Sequence, residues 1–301
     1  MESFSRGWSF LKQAWSMAFK DKDLLKPSVY ALIIGMVVSI IGIIPIMGVA
    51  FLVGDTQFGN IVLFVLGGML VFVQFVVSYV FSGMTVYLIY GYLTDGDGKM
   101  SKAWEIVRRD FFDILTLAAA STAVNLIRSA ANRNRNRGVA ANLARSATGL
   151  LEALWTEAAY LILPAMIIDD LNLKEGLLRI GKITKENLLL IGISTVGVRF
   201  VSGLIGFVIG AIGFVIGFAV GGGLTYLSGG DTAVSIISIA AGALIFFTFV
   251  MVASVFSSYT GTAYHTCLYI WARDVEKAHA KGSTAAVKAP APLAAVLVPT
   301  S

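Results

Sequence analysis

The sequence predicts an all-α fold: a polytopic transmembrane helical bundle of about six spans, built from three pseudo-repeats of an interfacial helix plus a helical hairpin. Three observations predict it. Apolar residues make up 57% of the chain and charged residues 14%, against roughly 25% charged in a soluble domain, and the mean hydropathy is +0.80. Thr56 to Thr94 holds no Asp, Glu, Lys or Arg across 39 residues, and Thr232 to Ala272 holds none across 41. Since about 20 helical residues cross the hydrocarbon, each run can span a bilayer, and the few polar residues elsewhere are too scarce to cover such helices in water. The third observation is an internal shift of 73 residues that relates successive hairpins.

Residues 1–27 form an amphipathic segment. Phe4, Trp8, Leu11, Trp15, Ala18 and Phe19 recur at helical spacing opposite Arg6, Lys12, Gln13 and Lys20. Such a stripe fits a helix lying in the headgroup layer, or one packed onto the bundle. The bundle itself covers residues 28–272. Its first run, Ser28 to Val53, is too long for a cleavable signal core and acts as an uncleaved anchor; Pro45 inside it lacks an N–H and predicts a kink. Span 2 covers roughly Ile61 to Leu93. Span 3, Ile114 to Ile127, is short and rich in Ala, Ser and Thr, and span 4, about Leu150 to Ile168, carries Glu152 and Glu157. Span 5 runs from Leu188 to Val220 with Arg199 inside it, and span 6 from Thr232 to Ala272. The Ala/Pro/Lys-rich tail, 277–301, has too little patterned apolar surface to fold and is expected to be disordered.

The repeat ties these spans together, with units near 1–93, 94–168 and 169–272. Tyr87-Leu88-Ile89 recurs as Tyr160-Leu161-Ile162, Leu115 meets Leu188, and Ser121-Thr122 meets Ser194-Thr195, all at an offset of 73. Arg109 and Lys182 coincide at the same shift, as do Trp104 and Leu177, and Thr85-Val86-Tyr87 echoes Thr262-Ala263-Tyr264. One shift holding through a basic amphipathic stretch into the next span marks a repeated unit.

Lys and Arg set the expected topology. Residues 1–27 hold five, 94–110 four, 169–187 four and the segment after Ala272 four, whereas 54–60 and 221–231 hold none. Six spans with both termini cytoplasmic satisfy the positive-inside rule there. Segment 128–147 breaks it, with Arg128, Arg133, Arg135, Arg137 and Arg145 on the expected outer side. Either the strong spans override this loop, or spans 3 and 4 form a re-entrant hairpin that keeps it inside. The net charge of +5 fits loops held against anionic lipid, not nucleic-acid binding.

Candidate sites are few. Gly203, Gly206, Gly210, Gly213, Gly217 and Gly221 line one stripe of span 5 and let another backbone approach. That neighbour is a helix of the same chain or, in the sharper reading, another copy around a pore. Glu152, Glu157 and Arg199 are ionisable groups at membrane depth and should face protein or a water-filled cavity. An Arg–Glu contact between spans 5 and 4 is the structural version, and a polar path for ions or solutes the functional one. His265 and Cys267, two apart on a helix, point to different faces and read as packing residues. Arg133, Arg135 and Arg137, alternating with Asn, form a solvated loop able to meet lipid phosphates by charge alone.

Enzyme chemistry finds no motif. There is no Gly-rich phosphate loop, no G-x-S-x-G and no H-E-x-x-H. His occurs only at 265 and 279, and the single cysteine excludes an internal disulfide and any multi-cysteine metal site. No cofactor or metal is expected. An intramembrane lipid-modifying enzyme using Glu152 or Glu157 is the remote exception.

Phe4-Ser5-Arg6-Gly7-Trp8, Trp15 and Lys22-Asp23-Leu24-Leu25, followed by the Trp155, Tyr160 and Pro164 stretch and by Leu268-Tyr269, carry a resemblance. The chain resembles a family of prokaryotic polytopic membrane proteins that carry a domain of unknown function. The arrangement is also similar to the membrane portion of some glycerophosphodiester phosphodiesterases. The resemblance implies an architecture but no catalysis, because the soluble catalytic domain of those enzymes has no counterpart here. The expected function is a non-enzymatic scaffold or accessory protein of the prokaryotic inner membrane. The alternative is an oligomeric channel or transporter with span 5 at its seam. The lipid bilayer, anionic headgroups and a second copy of the chain are the candidate partners.

Overall fold

The computed structural model describes residues 2–53, 56–133, 139–227, 232–281 and 287–297. All regular structure among them is helical. Helix α1 spans Glu2–Lys20 and leads through a 3-10 turn, Lys22–Leu24, into α2, Lys26–Val53. Helix α3 follows at Gln57–Asp95, then α4 at Met100–Arg109, α5 at Phe111–Arg133 and α6 at Val139–Asp169. Two long helices, α7 at Leu173–Leu227 and α8 at Thr232–Ala280, precede the short α9, Ala291–Leu297. Six of these are long and apolar enough to cross a membrane, so the all-α polytopic bundle is the observed architecture.

Local chemistry places the boundaries. Thr56 caps α3 by accepting from Gly59 N–H at 3.0 Å, and Gly96 ends it in the left-handed region at φ 78°, where glycine carries no Cβ penalty. Asn172 and Glu175 form a reciprocal capping box at the start of α7, each side chain accepting from the other's N–H at 3.0 and 3.1 Å. Asp21 closes the turn after α1 by accepting from Asp23 N–H at 3.0 Å.

The helices are longer than the spans read from hydropathy. Helix α7 has 55 residues and α8 has 49, so at 1.5 Å per residue they reach about 80 and about 70 Å, well beyond a hydrocarbon core of about 30 Å. In the first two units the interfacial helix is separate from the hairpin, because Pro27 follows one break and the buried Asp110 sits at the other. No proline lies between Leu173 and Leu227, and in the third unit the interfacial stretch and span 5 are one continuous helix. Helix α2 likewise runs through Pro45.

The buried core lies in the C-terminal halves of three helices. Tyr79 to Ile89 of α3, Ala159 to Ile167 of α6 and Tyr259 to Ala272 of α8 meet there, joined by Phe10, Ala14 and Ala18 of α1. Helix α3 is the hub, touching α2, α4, α5, α6 and α8. By contrast Ile40, Ile44 and Phe51 of α2, Phe207 and Phe218 of α7, and Ile236 and Ile237 of α8 are exposed, which is the surface an integral membrane protein presents to lipid.

Helix α1 packs onto the bundle through one edge of its apolar stripe. Leu11 and Ala18 are buried, and Trp15 donates from Nε1 to the Thr260 hydroxyl at 3.1 Å, while Phe4, Trp8 and Phe19 of the same stripe stay exposed. One correction concerns the tail. Composition predicts no packed structure beyond Lys277, yet α8 continues to Ala280 and α9 packs on α1 with Leu293 fully buried. Pro292 in the first turn of α9 is preset for a helix, and one leucine suffices to anchor so short an element. Residues 282–286 and 298–301 of the tail lie outside the described residues.

Candidate functional site: the polar cluster inside the bundle

Three candidate membrane spans bring ionisable side chains together. Glu157 and Tyr160, three apart on α6, share a face, Arg199 comes from α7, and His265 from α8. Arg199 Nη2 forms an ion pair with Glu157 Oε1, so the Arg–Glu contact between spans 5 and 4 is present. His265 joins the same carboxylate through Nε2 at 3.2 Å from Oε2. Its ring stacks on Tyr160 with centroids 4.9 Å apart and meets Tyr264 edge-on at 5.1 Å.

His265 Nδ1 lies 2.7 Å from the Gly261 carbonyl oxygen, and a carbonyl only accepts, so Nδ1 is the donor of that bond. Arg199 compensates the Glu157 carboxylate.

His265 is thus a correction: it is a polar partner of Glu157, not merely a packing residue. Burial fits either role, and only its neighbours on α6 distinguish them. Cys267 is fully buried among apolar residues, as a packing residue should be. Glu152 pairs with Arg128 at the end of α5. Between them and the core lies a cavity of about 100 Å³, lined by Tyr79, Ser121, Asn125, Thr156 and Trp155. Ser121 Oγ accepts from Trp155 Nε1 at 2.8 Å and shares a hydrogen bond with the Tyr79 hydroxyl at 2.7 Å.

The glycine stripe divides in two. A Cβ on Gly217 would stand 2.5 Å from the Gly242 carbonyl oxygen of α8, and one on Gly221 3.2 Å from that of Ser238; Gly213 is packed as tightly against Phe249. Gly217 and Gly221 allow α7 and α8 to approach backbone to backbone, and Gly213 makes room for the Phe249 side chain. Gly203, Gly206 and Gly210 would meet nothing within 4 Å.

At the opposite end of the core from the hairpin tips, the three units close alike. Asp21 Oδ2, after α1, accepts from Gly98 N–H beyond α3 at 2.9 Å. Arg109, at the end of α4, pairs with Asp170 beyond α6 at 3.0 Å. Lys182 of α7 pairs with Glu276 of α8 at 2.9 Å. Each clamp joins the interfacial helix of a unit to the end of its hairpin, and Arg109 and Lys182 are the residues the repeat superposes. Around the third clamp, Asp169 accepts from the Tyr269 hydroxyl and from Arg273 Nη1 at 3.2 Å, and Arg179 donates from Nε to Tyr269 at 3.0 Å. Burial pushes the Asp110 carboxyl above its usual range, and the guanidinium of Arg109, 2.6 Å away, pulls it partly back. Nothing in the sequence marked Asp169, Arg179 or Arg273, because charges at span ends are ordinarily solvated.

Arg135 and Arg137, and the side chain of Arg133, lie outside the described residues. Among the described residues no group of three or more His, Cys, Asp or Glu is placed to hold a metal ion. No protein-family model and no curated protein matches the chain.

Proposed function

We propose that the chain is a non-enzymatic integral membrane protein of scaffold or accessory type, acting through the surfaces of its bundle. The observation that carries this reading is the pairing of Glu157 with both Arg199 and His265. Each of these groups is satisfied by another side chain of the same bundle, so the cluster ties three helices together. Gly213, Gly217 and Gly221 support the same reading, since they serve packing within one chain. Placement in the inner membrane of a prokaryote, with both termini cytoplasmic, and membership of the family resembled through Phe4 to Trp8 belong to the proposal. Its support is the distribution of Lys and Arg.

The test is a flux assay on the purified protein in liposomes. No leak of ions or small solutes above protein-free vesicles is the expected outcome, and a saturable flux abolished by Glu157→Gln would overturn it. Orientation is tested separately with Asn134→Cys in a Cys267→Ser background. Labelling by a membrane-impermeant maleimide on intact cells places that loop outside; absence of labelling until lysis places it inside.

The second reading is an oligomeric channel or transporter, and the open stretch Gly203, Gly206 and Gly210 favours it, because no side chain among the described residues fills it. Its mass in mild detergent separates the two: a monomer removes the ring.

A further inference from the structure

Two apolar grooves flank the C-terminal half of α1. One, of about 550 Å³, runs between α1, α7 and α8 and is lined by Trp8, Leu11, Trp15, Phe19, Ile205 and Phe256. The other, of about 670 Å³, lies between α1, α2 and α8, where Val29, Leu32, Met251, Val252 and Val255 form its walls. They share one ridge: Trp15 stacks on Phe256 with centroids 4.7 Å apart and planes 9° from parallel, and Phe19 leans on Trp15 at 5.7 Å. The second groove descends along membrane-spanning residues of α2 and α8, whereas the first opens beside the polar face of α1.

Charge identifies the occupant. Lys12, Ser16 and Lys20 follow one another at four-residue intervals, so they form a line on α1 at the rim of the first groove. The two lysines are exposed and make no ion pair among the described residues. Their Cα atoms are about 12 Å apart along the helix, within reach of two extended lysine side chains converging above Ser16. Two amines and a hydroxyl over twin apolar grooves match a phosphate bearing two hydrocarbon tails. We propose that the grooves on either side of Trp15 hold the acyl chains of one anionic phospholipid, whose headgroup phosphate sits on Lys12, Ser16 and Lys20. The lipid thereby joins α1 to both outer hairpins, and this holds whether the bundle is a scaffold or a channel.

The test uses the full chain in nanodiscs and follows tryptophan quenching by phospholipids brominated on their acyl chains. Brominated phosphatidylglycerol is expected to quench at a lower mole fraction than brominated phosphatidylcholine. Each lysine at headgroup level should strengthen anionic-lipid binding about fivefold, so the preference should fall about 25-fold in Lys12→Gln/Lys20→Gln. Both positions are exposed, and unchanged helical circular dichroism confirms that this variant folds. Val252→Phe, which narrows the deeper groove without adding an indole, should lower quenching by both lipids. Equal quenching by the two lipids, or a preference that survives the double substitution, overturns the proposal. Concentration-dependent dimerisation of the delipidated chain, with no lipid preference, would assign the grooves to a second copy and also overturn it.

Discussion

The middle hairpin and the two outer hairpins solve the same problem differently. The most apolar windows of α2 and α3 have mean hydropathies of 2.7 and 2.6 and no buried residue, and those of α7 and α8 reach 2.5 with 11% buried. The windows of α5 and α6 fall to 1.4 and 1.5, with 28% and 44% buried. Hydropathy therefore drops where protein replaces lipid as the neighbour. In a bilayer, apolar side chains gain little by leaving lipid for protein, so helix contacts rely on close packing and polar links. Ser121, Trp155, Glu152 and Glu157 on α5 and α6 are such links. The weak hydropathy of spans 3 and 4 goes together with this burial. Helices of 23 and 31 residues are also long enough to cross, at about 34 and 46 Å.

Substitutions can break this contrast. Ile162→Ala, fully buried on α6, should cost about 2–4 kcal/mol, whereas Ile237→Ala on lipid-facing α8 should stay within about 0.5 kcal/mol. Reversible unfolding in mixed micelles compares the two, and equal losses would erase the distinction. Within an outer hairpin, Gly217→Leu forces α7 from α8 and should cost about 1–3 kcal/mol. Gly210→Leu should leave unfolding unchanged and alter only the detergent mass, if the open stretch joins copies. The polar link should be worth less. Glu157 and Arg199 are 31% and 48% exposed in their side chains, so Glu157→Gln should cost only about 1–2 kcal/mol, below the value for a fully buried pair. A double-mutant cycle with Arg199→Gln should recover part of that loss, and strict additivity would refute the coupling.

The smallest effect belongs to Asp110. Burial raises its folded pKa above the unfolded value, so the folded state holds that proton more tightly. The resulting stabilisation is full below the unfolded carboxylate pKa and is lost as pH rises through the folded one. Asp110→Asn should flatten that part of the stability–pH curve, visible in unfolding scans from acid to neutral pH.

Parts of the candidate site were legible in the residues alone. Glu157 and Arg199 stand out because a charge inside an apolar run has a large desolvation cost and demands a partner. His265 did not, because an imidazole in a span is compatible with packing until a carboxylate is found beside it. The clamps were half legible. The 73-residue shift superposes Arg109 on Lys182, but their partners Asp170 and Glu276 follow no such shift and are revealed only by proximity.

The sequence by itself determined the class of the protein, the number of its spans and the repeated unit. These depend on local quantities: backbone hydrogen bonds satisfied within a helix, and side-chain transfer between water and oil. Tertiary structure decided which half of the glycine stripe is engaged, how deeply the middle hairpin is buried, and that Arg199 and His265, from two helices, share the Glu157 carboxylate of a third. Those outcomes depend on the relative rotation and depth of helices far apart in the chain, and a hydropathy pattern leaves both undetermined because lipid and protein are nearly equivalent neighbours for an apolar face.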